Sequence, residues 1–221
     1  MQVPGFPSIF FYILVYGAPA TLQLTAYGII WGFVIGLALA FTRVYGGREL
    51  GWIASSYENV LRGIPLPVLM MIFGFGIPGM SLLAAVILSL ALRSAAFQSQ
   101  LLRGAILSVD PGQQLAARAL GMNRLQAFRH VVLPQALRIA VPSWSNEYAV
   151  LIKDTSYAYA MGITEMTREA MYLGVSEPAL MFPIMVVLAL IYFIFTYPVT
   201  KILGERQAKR LKSLGLGGGQ T

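Results

Sequence analysis

The run Gly112-Gln113-Gln114-Leu115-Ala116-Ala117-Arg118-Ala119-Leu120-Gly121, followed by Val131-Val132-Leu133-Pro134, lies in the one long polar interruption of this chain, from Arg103 to Arg138. The segments around it are apolar. Asp110 is placed to cap a helix whose first position is Pro111, where a missing N–H costs nothing. That helix is expected to run through Ala119 and stop near Gly121, because glycine accepts the left-handed conformation of a C-cap. Asn123 then caps a second helix with Leu125, Phe128, Val131 and Val132 on its apolar face, and Pro134 ends it. The stretch therefore predicts helix, sharp turn, helix. Small residues at Ala116, Ala117 and Gly121 leave room for another surface to approach closely.

Composition sets the solvent around this loop. Of 221 residues, 57% are hydrophobic and 11% charged, against roughly 25% charged in an ordinary soluble domain. Mean hydropathy is +0.69. A single aqueous globule would have too little polar surface, so the chain reads as an integral membrane protein. There is no cysteine, which excludes disulfides and thiolate metal sites, and His130 is the only histidine. With 9 acidic residues besides, no reactive constellation for a membrane enzyme presents itself. The net charge of +7 collects in three places: Arg43 and Arg48; Arg103, Arg118, Arg124, Arg129 and Arg138; and Lys201, Arg206, Lys209, Arg210 and Lys212. These groups alternate with apolar spans, which is the positive-inside pattern rather than a nucleic-acid patch.

A span needs about 20 apolar residues to cross roughly 30 Å of hydrocarbon. Four segments qualify, over 18–41, 53–77, 81–102 and 182–203, and a shorter one over 139–152, with Pro142 tolerable in its first turn, reads as a fifth span, fourth in chain order. The expected fold is thus an all-α polytopic membrane protein: one domain over 1–212 with a cytoplasmic helix–turn–helix loop over 103–138, and a flexible tail over 213–221. Keeping the basic loops inside places the amino terminus outside and the carboxyl terminus in the cytoplasm. Phe6, Phe10, Phe11, Tyr12 and Tyr16 read as an interfacial aromatic segment outside the first span, not as a removable signal peptide. In the first span Gly28, Gly32, Gly36 and Ala40 recur every fourth residue, a small-residue stripe suited to close helix packing. Pro65 and Pro67 break the second. Thr164–Leu173 reads as a short amphipathic helix at the outer interface, with Arg168 in reach of Glu165.

The loop run, with Val131-Val132-Leu133-Pro134-Gln135-Ala136, resembles the "EAA" loop of membrane permease subunits of ABC importers, closest to the polar amino-acid uptake branch. Thr21-Leu22-Gln23-Leu24-Thr25, Leu61-Arg62-Gly63-Ile64-Pro65-Leu66, Ala95-Ala96-Phe97 through Ile106, and Asn146-Glu147 with Leu151 through Ser156 resemble further motifs of that family, in order. The resemblance implies the type I importer fold and a subunit that is itself no enzyme. ATP and Mg would sit on cytoplasmic ATPase subunits that grip the loop. A second permease subunit and an external solute-binding protein would complete the assembly around a small-molecule substrate, with lipid around it and no nucleic acid. The chain itself has no G-x-x-x-x-G-K-[ST] phosphate loop. Where the family's loop usually opens with glutamate this chain has Leu115, and where it often has an acidic residue this chain has Gln100. The first departure favours a heterodimer slightly over a homodimer. Ala116, Ala117, Gly121, Met122, Leu125 and Phe128 are the implied ATPase-docking surface.

Ionisable groups inside spans are costly and usually face a bundle interior or a water-filled cavity. Arg93, Gln98, Gln100, Asn146 and Glu147 are therefore the candidate substrate pathway, with Arg93 alternatively neutralised by Glu147 or Asp154. Glu58 and Arg62, four residues apart, read as a structural pair. A permease for another small solute and a stand-alone secondary carrier remain the rival functions.

Overall fold

A helix needs a surface to bury against, and the first one finds it along its whole length. The computed structural model describes residues 5–213, and its first helix, α1 (Phe6–Tyr45), runs 40 residues without a break. The aromatic segment expected to lie outside the first span is continuous with it. Ile9 and Ile13 explain why: both are buried against Met166, Ala170, Ile184 and Val187, so the segment extends the helix rather than lying at the interface. Two bundle helices follow from the proline pattern. α2 (Gly47–Gly63) turns back beside α1, and α3 (Leu66–Gly76) leaves it at 99°. Pro65 holds Ile64 in an extended conformation (ψ 128°), which a continuous helix does not allow.

The centre of the bundle is α4 (Leu82–Leu107), capped by the Ser81 hydroxyl, which accepts from Ala84 N at 3.2 Å. The glycine stripe of α1 faces it. A Cβ on Gly36 would stand 3.0 Å from the Ala95 carbonyl oxygen, and one on Gly32 would stand 2.8 Å from Gln98 Nε2. The small residues set the spacing of these two helices.

Beyond the loop helices α5 (Pro111–Ala119) and α6 (Arg124–Ala127), a π-helical turn over Phe128–Val132 leads directly into α7 (Leu133–Asp154). Pro134 therefore does not end the second loop helix, as the sequence suggested. A proline inside an α-helix lacks one donor and crowds the carbonyl four residues back. The wider π turn, in which Leu133 N bonds to Phe128 O, relieves this one residue earlier and lets the chain continue. After a 3₁₀ stretch over Thr155–Met161 come α8 (Met166–Ser176) and α9 (Met181–Val199). A second π-helical turn, Thr200–Glu205, joins α9 to α10 (Arg206–Ser213). Of the tail expected over 213–221, Ser213 is the last residue of α10 and the rest lies outside the described residues.

The architecture is all-α and polytopic. Among the described residues α1, α4 and the run Pro178–Leu211 are long and apolar enough to cross a membrane, and the bent α2–α3 pair makes a fourth crossing if it counts as one span.

Candidate functional site

The loop is built from local rules. The Asp110 carboxylate accepts from Gly112 N at 2.7 Å and starts α5. At its end Gly121 has φ +86°, with Met122 N bonded to Ala117 O at 3.2 Å and Gly121 N bonded to Arg118 O at 3.0 Å. That pair of bonds is a Schellman cap, and it requires the left-handed residue that glycine supplies. Asn123 and Gln126 then exchange side-chain and backbone bonds at 2.9 Å each, a capping box that starts α6. Ala116, Gly121 and Leu125 are exposed and Met122 is half-buried. Ala117 and Phe128 point inward instead. Phe128 packs edge-on to Phe41 and Tyr45 of α1, at 4.8 and 5.6 Å between ring centres, and so anchors the loop to the bundle. Three leucines stand out of this loop: Leu115, Leu120 and Leu125 are 68%, 82% and 62% exposed, and of these only Leu125 belongs to the docking surface implied by the sequence. Leu120, Gly121, Met122, Gln126 and His130 line an open cleft of about 300 Å³.

Within the bundle the candidate pathway residues divide into two groups. Arg93 forms an ion pair with Asp154, choosing between the two carboxylates the sequence left open. Its guanidinium also lies 4.9 Å from the Phe97 ring centre, where Arg62 stacks at 5.1 Å. Gln98 is fully buried: it donates to Ile29 O at 3.1 Å and Ser94 Oγ at 3.0 Å, and it accepts from Trp144 Nε1 at 2.7 Å. Ser94 in turn donates to buried Glu147 at 2.7 Å. This chain ties α1, α4 and α7 together. Where water is scarce, buried polar groups have to satisfy one another.

Glu58 does not pair with Arg62. It accepts from Arg43 at 3.3 Å, Ser99 at 2.6 Å and Gln100 at 3.2 Å. Three tertiary donors outcompete the weak pairing of residues four apart on one helix. Asn146 is exposed, and with Ser143, Val150 and Lys153 it forms one outward stripe of α7, at spacings of three and four residues.

At the far end of the bundle, α8 is capped by Glu165 itself. This fully buried carboxylate accepts from Thr167 N and Arg168 N at 2.9 Å each and from the Tyr192 hydroxyl at 3.2 Å. Burial pushes its pKa up to about 7. Arg168 does not reach it; the guanidinium donates to Tyr172 at 2.7 Å. A Cβ on Gly17 would stand 2.5 Å from Met166 Cα, so α1 and α8 touch backbone to backbone. α8 therefore packs into the bundle, with Tyr172 and Val175 left exposed on its other side.

Residues 28–213 match the family described as binding-protein-dependent transport system inner membrane component. The chain belongs to that family. It is a multi-pass, inner-membrane permease subunit of an ABC importer, of a kind whose ATPase activity resides on a separate partner. The subunit is similar to the glutamine transport system permease protein GlnP of Escherichia coli (strain K12), 32% identical over 208 residues, covering 91% of this chain and 94% of that one. It is also similar to the arginine transport system permease protein ArtQ of Bacillus subtilis (strain 168), 30% identical over 202 residues, covering 89% and 91%. Among solved structures, an amino acid ABC transporter crystallised with histidines matches with a TM-score of 0.78 and 31% identity, over 94% of this chain and 100% of that one.

Proposed function

We propose that this permease subunit moves polar amino acids inward across the cytoplasmic membrane, driven by an ATPase docked on α5 and α6. The observation that carries the docking is the capped helix–turn–helix with Leu115, Leu120 and Leu125 turned outward. An apolar ridge on a rigid loop is poor as a free surface and good as a contact. It also fills the place of the missing glutamate at Leu115 with apolar area. The choice of solute class rests on the relatives, whose names specify glutamine and arginine.

The topology that fits this reading has five crossings, with the amino terminus outside and α10 inside. α7 supplies the additional crossing, fourth in chain order: its 22 residues are long enough for a 30 Å core. Its polar content suits a pathway wall rather than a lipid-facing helix. Arg93, Gln100 and Asn146 line or border the pathway, while Gln98 and Glu147 hold the wall together from behind. A second, related permease subunit completes the pathway, and an external binding protein delivers the solute.

Co-purification with the ATPase subunits is the decisive experiment. The reconstituted assembly should hydrolyse ATP faster in the presence of an amino-acid-loaded binding protein and should accumulate that amino acid. The chain alone should do neither. Uptake by the chain alone would replace this reading with a secondary carrier. A solute panel in which amino acids are inactive would move it to another small solute. Subunit counting on the same sample decides between a heterodimer, which Leu115 favours, and a homodimer.

A further inference from the structure

Helix α10 has two different sides. Arg206, Lys209, Arg210 and Ser213 are exposed and lie together on one of them. Leu211 on the other is 6% exposed. With Ala208 it borders a cleft of about 390 Å³ whose other walls include Gly104, Ser108 and Ser143. Packing thus holds the helix in place and turns its charge outward.

A basic helix face is ordinarily just solvated, and its position decides otherwise here. α9, the π turn and α10 belong to one helical run, Pro178–Leu211. The inner membrane boundary on that run is marked by Tyr197 and Lys201. The Lys201 ammonium lies 5.4 Å from the Tyr197 ring centre, and Tyr197 stacks on Phe193 at 4.9 Å. Aromatic rings with a snorkelling lysine are the signature of the headgroup level. From Lys201 to Arg206 is about 8 Å along a helix, and the headgroup layer is itself roughly 5–8 Å deep on each side. Lys209 and Arg210 then stand within about one Debye length of the charged surface.

We propose that Lys201, Arg206, Lys209 and Arg210 form a binding surface for anionic phospholipid headgroups. Clusters of this kind directly beyond a membrane span are drawn to anionic leaflets. The alternative occupant is an acidic patch on the ATPase. It is less favoured because α10 packs on α7 and the preceding π turn, whereas α5 packs on α6 and the 128–132 turn. The inference rests on α9 as a membrane span and is independent of the transported solute.

The absence of cysteine permits a single reporter. Full-length Ser213→Cys, labelled with a fluorophore, is reconstituted into phosphatidylcholine vesicles with or without phosphatidylglycerol, each doped with headgroup-quencher lipid. Quenching should rise severalfold with phosphatidylglycerol, fall back in high salt, and stay at the neutral-lipid level when R206Q, K209Q and R210Q are combined. Equal quenching in both vesicle types would overturn the proposal. So would a response that appears only when ATPase subunits are added, which would assign the face to a protein. If the triple variant fails to insert, the salt titration of the Ser213→Cys protein alone decides the matter. This readout requires no transport, so a wrong solute class leaves it intact.

Discussion

A carboxylate capping a helix inside a packed bundle is stabilised by the N–H groups it accepts from and opposed by its loss of water. For Glu165 the loss of water wins, since burial raises it from the ordinary 4.5 to about 7 despite three donors. The consequence for pH follows from the sign. The unfolded chain releases this proton first, so the contribution to stability is complete below about 4.5 and is lost as pH rises through about 7. Its upper size is about 3 kcal/mol for a shift of this extent. Thermal unfolding in detergent should therefore show the melting temperature falling from pH 5 to pH 8. Glu165→Gln, which stays neutral, should flatten that slope while keeping α8 docked through Met166 N and Thr21. A variant with the same slope as the parent would show that Glu165 is ionised throughout.

At the scale of elements, the loop separates what one turn of helix decides from what the bundle decides. Gly121 has φ +86° and open space where a Cβ would go. Alanine there adds only backbone strain, of about 1–2 kcal/mol. Arginine adds the same strain plus a long charged group beside the leucine ridge. Gly121→Ala should therefore retain ATPase in a pull-down with a modest loss, and Gly121→Arg should insert normally but lose both ATPase and uptake. Normal uptake by a stably assembled Gly121→Arg complex would end the docking role of this turn. The caps of this loop were legible in the sequence because Asp110, Gly121 and Asn123 each act within a few residues of themselves. The glycine stripe of α1 and the break at Pro65 were legible for the same reason: spacing and backbone chemistry are written locally. Pairing was not. Glu58 finds Ser99 and Gln100 at separations of 41 and 42 residues, and no rule of helix spacing points to them. The continuation through Pro134 was hidden too, because it depends on a π turn that Phe128 holds against Phe41 and Tyr45.

The whole molecule presents two kinds of outer surface, and they predict where solute passes. α9 exposes Phe193 and Ile194, as a lipid-facing helix does. α7 exposes Ser143, Asn146 and Lys153 in a single stripe, beside the Arg93–Asp154 pair. Lipid against that stripe would leave an amide and an ammonium without partners, which costs several kcal/mol. Another permease subunit across a watery gap covers it at no such cost. Because the chain has no cysteine of its own, Asn146→Cys, Lys153→Cys and Phe193→Cys can each be read alone in the assembled importer. The first two should react with a small, charged, membrane-impermeant thiol reagent, at rates that change when ATP is added and fall when solute is bound. Phe193→Cys should stay inert. Disulfide formation between subunits at position 146, without reagent access, would make the stripe a subunit seam instead. Inertness at 146 and 153 equal to that at 193 would remove α7 from the pathway, and Arg93 with it, since Asp154 at the end of α7 is what holds Arg93 in place.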